Sequence, residues 1–529
     1  MPDSPGPFDA IVIGSGFGGA IMARRLAEQG MRVLVLERGR RWEPKDYPRK
    51  PTDSWIYSDD HPQLLNGWLD MRFFRGMTVA QAAGVGGGSL CYSSVAVEAR
   101  PEVFEKGWPA EITYQELKPH YDTVAREMDL QLLPDNQLTR RFEMLRDGAR
   151  NLGYADRFAK APLAVSFSPD WHYGLEDPFD HKHSRQFVNA HGHTQGTCIH
   201  LGNCDLGCDV RAKNGLDVNY IPRAERHGAE VRPLHLARYI EPVDGAYRVV
   251  FDRIEPGRLV RGQETARRVI LAAGSLGSTE ILLRSRDEYR TLPRLSATLG
   301  QRWSANANFI SMAVYPREDR LRQSVGPTIS GILDFSDGGY RKQPLVVEDD
   351  GFPNLLLNAI KASLDDKVRT RFGKHLLGEL EEFVRDDTPL RNLMLWLGAG
   401  KDAGDGRIFL KRRWFTPWKR VLSLAWKVEP SEAVLDAIES VHTNLTEATG
   451  GRARAMPTWS LLKSLLTLHP LGGCPMGTSA ADGVVDHLGR VFEYPGLMVA
   501  DGAVLPTPTV RNPSHTIAAL AERMAAHVQ

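Results

Sequence analysis

The chain has 529 residues, 42% of them hydrophobic and 25% charged, the composition of an ordinary globular protein. With 66 Lys and Arg against 65 Asp and Glu the net charge is +1, which speaks against a nucleic-acid binder or an acidic solvating protein. No run approaches the length of apolar chain needed to span a membrane, and five cysteines are too few for a disulfide scaffold.

Met1 to Pro7 is short and polar and lacks the basic and apolar regions of a secretory signal. The chain therefore reads as cytoplasmic, with export beside a signal-bearing partner left open. Phe8 to Gly39 reads as a β-α-β unit: a buried strand at Ala10–Ile13, a turn, a helix to Gln29 stopped by Gly30, and a second strand ending at Glu37. Short apolar runs joined by a helix imply parallel strands covered on both faces. The turn, Gly14-Ser15-Gly16-Phe17-Gly18-Gly19, fits G-x-G-x-x-G. Gly14 permits the tight turn, Gly16 lets a pyrophosphate approach the backbone, and Gly19 lets the helix pack on the strand. Glu37 is placed to accept from ribose hydroxyls, and its charge disfavours a 2′-phosphate. This fingerprint alone does not separate NAD from FAD.

A second glycine cluster follows at Gly84-Val85-Gly86-Gly87-Gly88. From 110 to 195 and from 305 to 460 the composition is more mixed and aromatic, which predicts a second domain inserted into the first. The dinucleotide domain is then 1–109, 196–304 and 461–529. Cys198, Cys204 and Cys208 stand at C-x5-C-x3-C spacing among Gly196, Gly202 and Gly207. Val231 to Val269 alternates as strands with turns at Asp244-Gly245 and Pro256-Gly257, and a buried strand leads into Gly274 and a helix. Leu364, Val368, Phe372, Leu376, Leu380 and Phe383 recur at helical spacing and suggest a lid over an apolar cavity, with ordinary core as the equal alternative. Another helix is expected from a Ser431 cap to Gly450, with Val434, Ile438, Val441 and Leu445 inward. Near the end, a strand reaches Asp501-Gly502, followed by Asn512-Pro513 and a helix from Thr516. Such a return to the first domain suits a bulky flavin.

Five segments in one order resemble the glucose–methanol–choline (GMC) flavoprotein oxidoreductases, closest to their cholesterol-oxidase branch. They are Asp9 to Glu37, Gly84 to Leu90, Ala272 to Ser278, His469 to Cys474, and Asp501 through Asn512-Pro513 to Arg523. The resemblance implies an α/β fold, with an FAD-binding Rossmann-like domain and an inserted α+β substrate domain built on an antiparallel sheet. It implies FAD held by Gly14, Gly16, Gly19 and Glu37, with the isoalloxazine ring near Gly86, Gly87, Gly88, Ser89 and Pro513. Val231, Gly274, Asp501, Gly502 and Thr516 complete the expected cofactor contacts. Members that link FAD covalently use a His in the second glycine segment; none lies between Gly76 and Arg100, so non-covalent FAD is expected. Cys91-Tyr92-Ser93-Ser94 stands where cholesterol oxidases show a Val-Asn-Gly-Gly run, which separates this ring pocket from theirs.

The implied reaction is oxidation of a CH–OH group by hydride transfer to flavin N5, with His469 as general base and Asn512 orienting the alcohol oxygen. Glu348 corresponds either to the branch's active-site carboxylate, with a raised pKa, or to a solvated acidic turn. Some GMC dehydrogenases carry a three-iron cluster on cysteines spaced like Cys198, Cys204 and Cys208; plain thiols, and zinc with His200, are the alternatives. The leading expectation is an FAD-dependent oxidoreductase of a bulky, mostly apolar, sterol-like alcohol, passing electrons to oxygen or another acceptor. A cluster-bearing dehydrogenase of a sugar or polar alcohol, and a non-redox lyase that keeps FAD, are its rivals.

Overall fold

The computed structural model describes residues 8–50, 53–315, 321–353, 392–412, 420–455, 459 and 464–528. The first strand, Phe8–Ile13, lies inside a seven-stranded sheet, hydrogen-bonded in parallel to Val33–Leu36 on one side and to Arg258–Leu271 on the other. Glu230–Arg232 extends the sheet beyond Val33–Leu36, also in parallel. Ile11, Val12, Val33, Leu34, Val35, Val269, Ile270 and Leu271 are all fully buried, as continuous apolar strands covered on both faces require. Helix Phe17–Glu28 packs against these strands and beside helices Tyr220–Arg226 and Ser514–Ala525.

Beyond residue 266, Arg258–Leu271 runs parallel with Phe8–Ile13 and Leu497–Val499; before it, the same strand pairs antiparallel with Ala246–Glu255. The hairpin from His235–Val243 to Ala246–Glu255 turns at Asp244 and Gly245, both at positive φ. A two-residue turn of that hand matches the twist of its strands, and Asp and Gly tolerate it.

A second, six-stranded sheet is antiparallel throughout. Its order is Arg452–Ala455, Phe309–Val314, Leu393–Gly400, Gln343–Asp350, Gly331–Tyr340 and Phe158–Lys160. Helices Arg140–Asn151 and Glu432–Ala448 pack on it. Val434, Ile438, Val441 and Leu445 form the inner face of the latter, at the helical spacing that predicted them. Ser431 does precede this helix, but it does not cap it: its Oγ accepts from Ala403 N–H at 3.1 Å. The Leu364–Phe383 stripe falls outside the described residues. A smaller four-stranded sheet has the order Leu465–Thr467, Met77–Ala82, Leu69–Phe74 and Ile56–Tyr57, and the chain leaves its strand Leu465–Thr467 directly into His469.

Candidate active site

Where the first two strands end, four stretches of backbone meet with almost no side chain between them. A Cβ at Gly14, whose φ is +98°, would stand 2.3 Å from the Ala272 carbonyl oxygen. At Gly18 it would stand 1.5 Å from that of Ala500, and at Gly87 2.5 Å from Gly16 Cα. Gly19 lies beneath, its notional Cβ 2.0 Å from Gly14 O, which is the close strand–helix packing expected of it. Gly16 caps helix Phe17–Glu28 without a side-chain oxygen, and no acid occupies the first turn. The leading N–H groups and the helix dipole are therefore left for an anion.

From this point a cavity of about 310 Å³ extends both ways. One end is walled by Glu37, Arg38, Trp68 and His235 to Arg238. Glu37 accepts from Ser15 N–H at 3.1 Å, Ser15 Oγ at 2.7 Å and Gly39 N–H at 2.8 Å. Burial raises its pKa, these donors oppose the rise, and a carboxylate with three donors still has room for a sugar hydroxyl. The other end is walled by Gly87, Gly88, Tyr92, Ser93, His469, Gly502, Asn512 and Pro513, with Val95, Ile329 and Leu397 as its apolar surface. Gly274 and Asp501 join the ends: Asp501 accepts from Gly274 N–H and Ala503 N–H at 2.8 Å each and from the Ser278 hydroxyl. Burial lifts its pKa to about 6. On the ring-end wall the buried Tyr92 hydroxyl and Asn512 Oδ1 have no hydrogen-bond partner among the described residues. A glycine-floored channel with a ribose acceptor at one end and orphaned polar atoms at the other fits a dinucleotide that carries a heterocycle beyond its phosphates.

Besides Gly19, four expected contacts stand back from the wall. Gly86 and Ser89 shape the loop, Ser89 Oγ donating to Gly86 O at 2.8 Å and accepting from Leu216 N–H at 2.9 Å. Thr516 is buried with its Oγ1 2.8 Å from the Tyr121 hydroxyl, and Ser514 and Ile517 take its place at the cavity. Val231 pairs with Val35 and packs into the core, whereas His235 to Arg238 reach the cavity. Strand pairing turns Val231 inward, a register that the sequence does not display.

His469 Nδ1 faces two amides: Asn308 Nδ2 at 2.9 Å and Asn306 Nδ2 at 3.4 Å. Backbone donors fix the orientation of both, since Leu468 N–H points at Asn308 Oδ1 (3.1 Å) and Val510 N–H at Asn306 Oδ1 (2.9 Å). Two donors at Nδ1 make it an acceptor, so the ring proton sits on Nε2. Burial lowers the pKa to about 4, keeping the ring neutral. His469, expected as a general base, thus stands at the cavity with its Nδ1 taken up by these two amides. Neither Asn306 nor Asn308 was anticipated; Asn306-Ala307-Asn308 carries the signature of a left-handed turn, with φ of +53° at Asn306 and +44° at Ala307, but nothing in it points to a partner 160 residues on.

Glu348 is 1% exposed, not a solvated turn. It lies on strand Gln343–Asp350 opposite Leu397, directly behind Asn512, whose Nδ2 donates to Oε2 at 3.3 Å; Oε1 has no partner among the described residues. Desolvation pushes its pKa up to about 8. Asp205 is a carboxylate missed from the sequence: it lines the same cavity and accepts from Ser93 Oγ at 3.1 Å. His515 is buried with its ring nitrogens 3.1 Å from Ala96 O and 3.0 Å from Tyr121 O.

The three-cysteine loop is not assembled as a metal centre. Among the described residues no group of three His, Cys, Asp or Glu side chains is arranged to hold an ion. Cys198 Sγ accepts from His200 N–H and Cys208 Sγ from Ala212 N–H, while burial pushes the Cys204 thiol up to about 11. His200 is stacked on Trp171 at 4.0 Å, with its nitrogens against Tyr173 and Gln137. Gly202 and Gly207 serve close packing, since a Cβ would strike Ser324 O or the Tyr47 ring.

Residues 421–521 match the family model described as GMC oxidoreductase, and residues 12–42 that of the NAD(P)-binding Rossmann-like domain. The cholesterol oxidase of Acinetobacter baumannii is 29% identical over 98% of this chain and 94% of its own length. The cholesterol oxidase of Mycobacterium tuberculosis is 29% identical over 98% and 90%. A 2-methyl-1,2-propanediol dehydrogenase of Mycolicibacterium austroafricanum is 24% identical over 99% and 95%. Among solved structures, pyridoxine 4-oxidase from Mesorbium loti shares the fold with a TM-score of 0.62 at 15% identity, covering 98% of both chains. Over nearly its whole length the chain is thus similar to GMC oxidoreductases, cholesterol oxidases among them, and it is an FAD-dependent alcohol oxidoreductase.

Proposed function

We propose that this enzyme oxidises the CH–OH group of a bulky, mostly apolar, sterol-like alcohol, with His469 holding the alcohol oxygen and Glu348 taking its proton. One observation carries the reading: Asn512 is paired with a desolvated Glu348 beside the N–H-bearing His469, against the apolar wall of Val95, Ile329 and Leu397. FAD, held non-covalently, would supply the acceptor for the carbinol hydride, with Gly87, Gly88 and Pro513 lining the end that would take its ring. His469 Nε2–H fixes the oxygen, which orients the carbon that loses hydride. Glu348, with a pKa near 8, is matched to a proton gained and lost at ordinary working pH. The apolar wall excludes water and strengthens the contact of His469 with the alcohol.

A polar alcohol is the second reading, favoured by the Asp205 carboxylate and Ser93 on the same cavity wall. An anaerobic absorbance titration with a panel of sterols, long-chain alcohols and polyols tests both. Flavin bleaching by the apolar members, reversed on admitting air, is the expected result. Bleaching by polyols alone selects the second reading, and bleaching by none of them in the flavin-loaded protein removes the redox reading in favour of a lyase.

A further inference from the structure

We propose that Asn306 is a positioning residue that holds His469 and Asn512 in one register, a role that rests on the reading of His469 as a donor to the alcohol. The fully buried amide of Asn306 is spent on His469 and on the two residues that lead into Asn512. Its Oδ1 accepts from Val510 N–H at 2.9 Å; its Nδ2 donates to Arg511 O at 3.0 Å and faces His469 Nδ1 at 3.4 Å. One planar group therefore touches the chain immediately before Asn512 and the ring that stands beside it.

The chain at Val510 needs such a clamp. Val510 has φ of +68°, in the left-handed region that a β-branched side chain avoids, and it is 2% exposed. The turn persists because its surroundings over-determine it. Asn306 takes the N–H of Val510 and the carbonyl of Arg511, the Thr509 hydroxyl also reaches that carbonyl at 2.7 Å, and the Arg511 guanidinium is held by Asp334 and by Glu98 O. Asn306 is itself anchored. Its N–H donates to Ser304 Oγ at 2.9 Å, its carbonyl accepts from Gly400 N–H at 2.9 Å, and the Asp402 carboxylate accepts from Ser304 Oγ and from the Ala305 and Ala307 N–H groups. Asn308 fixes the other edge of the His469 contact, so the two asparagines set the tautomer while Asn306 alone links it to the turn.

Three measurements on the flavin-loaded protein test this. First, ring ¹⁵N signals of His469, assigned by their loss in His469→Ala, need no substrate and so stand apart from the proposed reaction. An Nε2–H tautomer in the unaltered protein is expected, changing to Nδ1–H in Asn308→Asp; an Nδ1–H tautomer in the unaltered protein overturns the proposal. Second, Asn306→Ala is expected to keep its flavin and its KM but to lose about 10²-fold in kcat, the scale of a misplaced contact group. Third, adding Val510→Gly, which accepts the same φ without strain, is expected to return about ten-fold of that loss. A flavin-replete Asn306→Ala within about three-fold of the parent kcat overturns the proposal, as does a double variant no faster than the single one. If Asn306→Ala does not fold, Asn306→Asp, which keeps the acceptor for Val510 N–H and loses the amide donor to His469 and Arg511, takes its place in the kcat comparison.

Discussion

Glu348 is buried where a carboxylate is costly, and both its activity and its cost should be visible. Glu348→Gln keeps the shape and the contact with Asn512 but cannot take a proton, so a fall in kcat of about 10²-fold or more is expected, with flavin content retained. The parent kcat should rise as pH passes through about 8 and the variant should lose that limb; a pH–rate profile of each checks it. Stability should run the other way. A folded pKa raised above the unfolded value means that the native state binds more protons between the two, so this contribution is intact at low pH and is lost as pH rises through about 8. Melting curves should therefore show Glu348→Gln gaining on the parent as pH climbs from 5 to 9. His469 and Asn512 were legible in the sequence because each sits inside a short motif. The tautomer of His469 was not, because it is set by two amides from a strand start far away in the chain.

Glycines make a sharper test at the level of the loops that floor the cavity. Gly18 has backbone at 1.5 Å from its notional Cβ, so Gly18→Ala should fail to yield folded protein. At Gly88 no atom lies within 4 Å, yet the residue faces the cavity. Gly88→Ala is therefore expected to fold with parent-like circular dichroism and to bind less flavin, read from the ratio of visible to ultraviolet absorbance. Equal losses of fold in both variants would contradict this division of labour. The β-α-β unit was readable because its punctuation and its apolar runs occupy 30 consecutive residues or so. The antiparallel sheet was readable only as a class: its strands come from residues 158 to 455, and no local pattern states that Gln343–Asp350 lies between Leu393–Gly400 and Gly331–Tyr340. Val231 meets the same limit, since the alternation of a short edge strand does not say which residue turns to the cavity.

Across the whole molecule the cavity is walled by segments from both ends and the middle of the chain, so the cofactor acts as a tie between them. Acid precipitation should release all the yellow colour, because the glycine-rich segment lacks a histidine to retain it; flavin left on the pellet would contradict non-covalent binding. Removing FAD should lower the melting temperature, since a ligand at a hundred times its Kd adds about 2.7 kcal/mol to a fold that alone binds it. A calorimetric scan of the deflavinated protein before and after adding FAD measures this. Strand Arg258–Leu271 carries a consequence for the order of events. Its last three residues pair with Leu497–Val499, and the turn at Asp501 and the helix at Ser514–Ala525 close the site beyond it. During synthesis the nucleotide-binding half is thus exposed from the ribosome long before the pieces that complete it, and pairing so distant in sequence is slow. Flavin capture should wait for the last few dozen residues to emerge, so a ribosome-stalled chain ending near residue 486 should stay colourless while a released full-length chain turns yellow.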